Sequence, residues 1–234
     1  MTHRPLPDER AWDRFWARGI PRADRGPSWA KTRIRQMLLP QVSTPGHVLD
    51  AGCGSGYFSK MFFDWGWTVT ALDYAPEALE ATRGLTQGQV ELLQADLLRD
   101  PLQDRLNGRK VSLIFSDGLL EHFTPGDQQT ILQNFASVLD DDGLVVSVVP
   151  NRYSPWQWIR PWMMPGIEER PFVLRDLKQC HERGGFEIVR FGGMNVLPIR
   201  FSPEFLGSRF GMLLYVAARK SSVGNTSGLS HHAL

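Results

Sequence analysis

Short apolar runs alternate along this chain with segments of helical periodicity. Val48–Leu49, Thr68–Leu72, Val90–Gln94, Lys110–Phe115, the run L-V-V-S-V-V ending at Pro150, Phe186–Phe191 and Gly211–Ala218 read as strands. Their near-continuous apolar character predicts burial on both faces, as in a parallel sheet. Between them, apolar residues recur at helical spacing from Tyr57 to about Trp65, after Pro76, over Gln128–Leu139 and over Leu174–Arg183. Pro76 stands at a first helical turn, Thr124 at an N-cap and Gly184-Gly185 at a helix end. Ahead of the first strand, Trp12, Phe15 and Trp16 predict a short amphipathic helix over residues 8–19. Ser28 caps a second, which carries Trp29, Ile34, Met37 and Leu38 up to Pro40. Strands alternating with helices through short connections predict an α/β, doubly wound sheet with helices on both faces.

Two stretches depart from this rhythm. Residues 150–172 hold Tyr153, Trp156, Trp158, Trp162, Met163 and Met164 among several prolines. A long aromatic loop after the fifth strand lies over the carboxyl ends of the strands, and it is expected to act as a substrate-side lid. A membrane-surface wedge over 153–164 and a dimer contact are its alternatives. Residues 221–234 have too little apolar surface to bury and are expected to be disordered, with His231 and His232 inert. Residues 1–220 then form one domain, with 1–40 as a helical cap.

Composition narrows the class. Hydrophobic residues make up 42% and charged residues 22%, ordinary for a globular protein. A net charge of +1 argues against general polyanion binding, although nine Lys or Arg against four acids crowd the first 35 residues. Cys53 and Cys180 provide neither a disulfide framework nor a zinc spacing. With no signal-peptide apolar core at the N-terminus and no apolar run of membrane-spanning length, a cytoplasmic location is expected, as monomer or homodimer.

The chemistry concentrates in V-L-D-A-G-C-G-S-G-Y-F-S, residues 48–59. A strand, a glycine-rich turn and a helix bring bare backbone N–H groups to a ligand. The dinucleotide spacing G-x-G-x-x-G fails, because its third glycine falls on Tyr57 or Ser59. A nicotinamide dehydrogenase is disfavoured accordingly. The actual pattern is D-x-G-x-G-x-G, and an acid there suits a ligand bringing a cation and hydroxyls. Asp73, at the second strand tip, stands where Rossmann-type sites present an acid to ribose hydroxyls, with Tyr74 beside it. Asp96 and Leu97 follow the third strand, and Ser116-Asp117-Gly118-Leu119-Leu120-Glu121-His122-Phe123 follows the fourth.

This combination resembles the class I S-adenosylmethionine (SAM) methyltransferases over residues 46–150, and less closely out to 220. The resemblance implies a Rossmann-like, mostly parallel seven-stranded sheet whose last strand is antiparallel. It implies SAM as methyl donor. The loop Asp50, Ala51, Gly52, Cys53, Gly54 and Gly56 would lie against its amino-acid end, Asp50 orienting the ammonium. Asp73 would hold the ribose, Tyr74 and Leu97 would pack on the adenine, and Asp96 would bond its amino group. The segment opening at Ser116 would border the sulfonium.

Methyl transfer is an in-line displacement that needs alignment and, for a hydroxyl or weakly acidic carbon, a base. Asp117, Glu121 and His122 are the candidates. On a helix Asp117 and Glu121 would share a face and His122 would point away. His122 has the best intrinsic pKa for a base. Glu168, Glu169 and Arg170 either hold a charged substrate or rim the site. No metal-ligand set can be assembled, so no metal is expected. The acceptor expected is small or lipid-like, without stable nucleic acid. An RNA methyltransferase and a non-catalytic SAM-binding regulator are the rival readings.

Overall fold

The computed structural model describes residues 28–42, 44–158, 169–197 and 199–221. The expected helix over residues 8–19, the lid residues Trp162, Met163 and Met164, Glu168, and the tail from 222 lie outside them. Seven strands form one sheet in the order β3-β2-β1-β4-β5-β7-β6. They are β1 (His47–Ala51), β2 (Thr68–Asp73), β3 (Glu91–Gln94), β4 (Val111–Asp117), β5 (Leu139–Pro150), β6 (Phe186–Met194) and β7 (Leu213–Lys220). Strands β1 to β5 pair in parallel, and β7 runs antiparallel to both neighbours. The expected architecture is therefore present.

Alternation along the strands divides the core. Val48 and Phe115 face one cluster, with Phe58 and Phe62 of α2 (Tyr57–Asp64), Leu79 of α3 (Pro76–Thr86), and Ile34 and Leu38 of α1 (Trp29–Leu38). Leu49, Ala51 and Ile114 face the other, against α4 (Leu102–Arg105), α5 (Pro125–Val138) and α6 (Leu174–Arg183). Helices before β3 cover one face and those after β3 the other. The winding reverses between β1 and β4, which opens a crevice at their carboxyl ends. Ser28 caps α1, its Oγ accepting from Lys31 N at 3.3 Å, and Thr124 caps α5 in the same way.

Three local readings change. Asp50 is a residue of β1 rather than the residue after it. Asp117 closes β4, Gly118 turns at φ 78°, and Leu120–His122 is a single 3-10 turn, so the helical-face argument for Asp117, Glu121 and His122 does not hold. The connection from Asp100 to Gly108 contains α4, and β6 extends to Met194. The ends of the aromatic insertion are zipped together: Arg152 N donates to Phe172 O at 2.8 Å and Phe172 N to Pro150 O at 3.0 Å. Buried Asn151 fixes this stem, donating to the carbonyls of Arg209 and Gly211. Beyond the stem Tyr153 and Trp158 are exposed. Among the described residues no helix is long and apolar enough to cross a membrane.

Candidate active site

The glycine turn is built by its own backbone. Gly52 N and Cys53 N both donate to Leu72 O, at 2.8 and 2.9 Å, so the bend is stitched to β2. Gly54 N donates to Asp73 Oδ2 at 2.9 Å, while Ala75 N donates to Asp73 Oδ1 at 3.0 Å. One carboxylate thus holds the loop and starts α3. Gly52 and Gly56 have φ of 75° and 77°, a region that side chains disfavour. A Cβ on Gly56 would also meet Thr82 Cα at 2.7 Å, so this glycine lets α2 and α3 approach.

Above the loop lies a cavity of about 340 Å³, within the range that binds small molecules. Asp50, Gly52, Cys53, Gly54, Asp73, Tyr74, Asp96, Leu97, Asp117, Glu121 and His122 all line it. Four successive strand tips therefore deliver their acids to one space. Three other residues expected at the cofactor are not in its wall. Ala51 is a buried core residue, Gly56 faces Thr82, and Ser116 is buried in β4 opposite Ser147 of β5. Lys31 from α1, Leu119, Phe123 and Glu169 also line it. Of these, Glu169 carries a sequence signal, as an acid in the insertion; Lys31 carries none beyond its place on a helix before β1.

Burial dominates the electrostatics. Asp50 is 2% exposed, and its Oδ2 accepts from Ser59 Oγ at 2.5 Å. Desolvation pushes its pKa up to about 7, with Asp117 and Asp73 adding and Ser59 opposing. Asp117 rises to about 6 through burial, opposed by the Lys31 charge. Asp73 is also raised by burial, against the backbone N–H groups that bond it. Cys53 is held well above the ordinary thiol range by burial, which suits packing rather than nucleophilic attack. Asp96 does two jobs: it borders the cavity, and its Oδ1 accepts from Leu98 N at 2.9 Å as a turn-forming residue does.

The 3-10 turn brings Glu121 and His122 towards each other, Glu121 Oε1 lying 3.9 Å from His122 Nε2. Arg170 N donates to Glu121 O at 2.8 Å, which anchors the end of the insertion on this turn and carries Glu169 to the same place. One donor atom from each of Glu121, His122 and Glu169 lies within 4.8 Å of the others. His122 thus belongs with Glu121 rather than pointing away from it. The trio has donor types able to hold a divalent cation, and the same three groups can position and relay a proton.

Comparison with known proteins follows the same line. The methyltransferase domain family matches residues 22–190. A probable S-adenosylmethionine-dependent methyltransferase of Mycobacterium tuberculosis is 32% identical over 142 residues, covering 59% of this chain and 49% of the relative. A malonyl-[acyl-carrier protein] O-methyltransferase of Serratia marcescens is 48% identical over 73 residues, 30% of this chain and 28% of the relative. The chain spans half or less of the length of these curated relatives. Among solved structures, magnesium protoporphyrin IX methyltransferase of Synechocystis, with bound S-adenosylhomocysteine, superposes with a TM-score of 0.61 at 18% identity, covering 91% of this chain and 94% of that one.

Proposed function

This chain belongs to the class I SAM-dependent methyltransferase family, and from that premise we propose that it transfers a methyl group to a small or lipid-like organic acceptor. The observation that carries the proposal is the single cavity reached in sheet order by Asp96, Asp73, the glycine turn with Asp50, and Asp117. These residues fit SAM: Asp73 at the ribose, Asp96 and Leu97 at the base, and buried Asp50 at the ammonium, whose positive charge stabilises the ionised carboxylate. When bound, SAM supplies a methyl group on a sulfonium sulfur that leaves as a neutral thioether.

The chain's contribution is alignment and proton removal. Tyr57, Phe58 and Leu119 wall the cavity beside the loop and exclude water from it. His122 accepts the acceptor's proton, and Glu121 and Glu169 stabilise the imidazolium that results. A base of this kind serves an acceptor whose reacting group carries a removable proton, a hydroxyl or an amine.

Labelled SAM incubated with fractions of cell extract tests the reading. Label is expected in a small or apolar hydroxyl- or amine-bearing product. His122→Ala should lower turnover by roughly a hundredfold or more while SAM affinity is kept. Label appearing only in RNA would favour the nucleic-acid reading, and SAM binding without turnover in any fraction would favour a regulator.

A further inference from the structure

The segment joining β6 to β7 turns several of its polar groups inward and its large apolar side chains outward. Glu204 Oε2 accepts from Asn195 N at 2.6 Å, and its Oε1 lies 3.3 Å from Arg33 Nε of α1. Arg33 Nη2 donates to the carbonyls of Ile199 and Arg200, both at 3.0 Å, and Ser202 Oγ accepts from Leu197 N at 3.0 Å. Further along, Gly207 rests on Gly193 so closely that a Cβ on Gly193 would meet Gly207 O at 2.1 Å. Asn151 of the insertion stem donates to the carbonyls of Arg209 and Gly211. Phe201 and Phe205, by contrast, are 81% and 87% exposed, and Leu197, Ile199, Leu206 and Phe210 are exposed with them. A segment tied down at so many points presents these side chains by construction. A cluster of exposed large apolar residues marks an interaction surface.

Charge and position say what covers it. Arg200 and Arg209 share the surface, their guanidinium carbons 5.4 and 5.3 Å from the ring centres of Phe201 and Phe210. Glu204 is the one acid in the sequence of this segment, and it is turned to Arg33. Aromatic and aliphatic groups flanked by arginine are the composition that settles at the headgroup level of an anionic bilayer. Leu197, Ile199 and Leu206 suit hydrocarbon and offer no ring for a nucleic-acid base to stack on. A second copy meeting this face two-fold would bring two arginine-bearing faces together. Pro150 and Met194 both pair with Leu213, so the segment leaves the sheet at the carboxyl ends of the parallel strands, where the cavity opens. Helix α1 links the two, sending Lys31 to the cavity wall and Arg33 to this segment.

We propose that the exposed face of residues 199–210 docks on the surface of an anionic lipid bilayer. Phe201, Phe205 and Phe210 enter the headgroup region, and Arg200 and Arg209 meet lipid phosphates. Docked in this way, the chain holds the rim of its cavity against the membrane, within reach of an acceptor dissolved there. The docking goes beyond the methyl-transfer reading, and either can fail without the other.

Flotation of the full chain with vesicles tests it, using phosphatidylcholine alone and roughly two parts phosphatidylcholine to one of phosphatidylglycerol. Wild type is expected to partition about tenfold or more in favour of the mixed vesicles at low salt, and to lose that preference as salt screens the arginines. The pair Phe201→Ser and Phe205→Ser should lose about tenfold or more of the partition to mixed vesicles. The pair Arg200→Gln and Arg209→Gln should lose roughly tenfold on the mixed vesicles and little on the neutral ones. Leu39→Ser removes an exposed apolar residue at the far end of α1 and should lose none. Unchanged urea midpoints report intact folds, and Phe205→Ser alone repeats the comparison if the phenylalanine pair shifts its midpoint. Wild type that floats with neither vesicle, phenylalanine variants that bind as wild type does, or an equal loss in Leu39→Ser overturns the proposal. So does a solution dimer that the phenylalanine pair disperses while vesicles are ignored, which gives the face to a second copy. Retention on single-stranded RNA without flotation overturns it as well.

Discussion

Asp50 has the most to reveal about this site among single residues, because it is almost wholly buried and its carboxylate is bonded by Ser59 alone against strong desolvation. Its carboxyl is protonated in the folded chain up to about pH 7, whereas in the unfolded chain it titrates near its ordinary value of 3.8. The folded state therefore holds the extra proton between those limits. The stability this provides is complete below the lower limit and is lost as pH rises through about 7. Asp50→Asn keeps an acceptor for Ser59 and has nothing to titrate. Urea denaturation should show the variant gaining on wild type by ~1 kcal/mol or more between pH 5 and pH 8. A difference independent of pH would mean that Asp50 is ionised in the empty site. The acids at the strand tips were legible in the sequence because each follows an apolar run by one or two residues. Lys31 and Glu169 were not, since they reach the cavity only when α1 and the insertion stem dock on distant elements. No local pattern encodes that meeting. Ala51 and Ser116 lie within the motifs, and strand alternation turns their side chains into the core.

At the level of elements, the contact between α2 and α3 depends on the absence of a side chain at Gly56. Gly56→Ala places a methyl group 2.7 Å from Thr82 Cα and forces alanine to φ 77°. The cost should be ~2–4 kcal/mol, combining left-handed strain with overpacking. Urea midpoints of the two proteins measure it, and a loss below ~0.5 kcal/mol would show that the helices part without resistance. Helices announced by a cap or an N-terminal proline were readable: α1, α3 and α5 begin within a few residues of the expected positions. The stretch from Asp117 to His122 was misread as helical because its residues suit a helix. Gly118 at φ 78° breaks the path, and one 3-10 turn replaces it. That local change turns His122 towards Glu121, with Glu169 close to both.

For the whole molecule, the seven-stranded order and its reversal between β1 and β4 place the donor cavity where open α/β sheets bind ligands. The alternation of apolar runs and helices through short connections pointed to a doubly wound α/β sheet, and the resemblance to the methyltransferases added seven strands with an antiparallel last one; the strand order comes from the structure. The acceptor side was less legible. Its wall combines the 3-10 turn with the end of the insertion, and exposed Tyr153 and Trp158 stand on the stem beyond it. The central claim is that the strand-tip acids and the glycine turn hold one sulfonium nucleoside. Calorimetric titration with SAM tests it directly, comparing wild type with Asp73→Ala, which loses the bonds to Gly54 N and Ala75 N. The account predicts one site per wild-type chain with a dissociation constant between ~1 μM and ~1 mM, and a loss of roughly tenfold or more in Asp73→Ala. No binding by wild type at millimolar SAM, or equal affinity in both proteins, would contradict it.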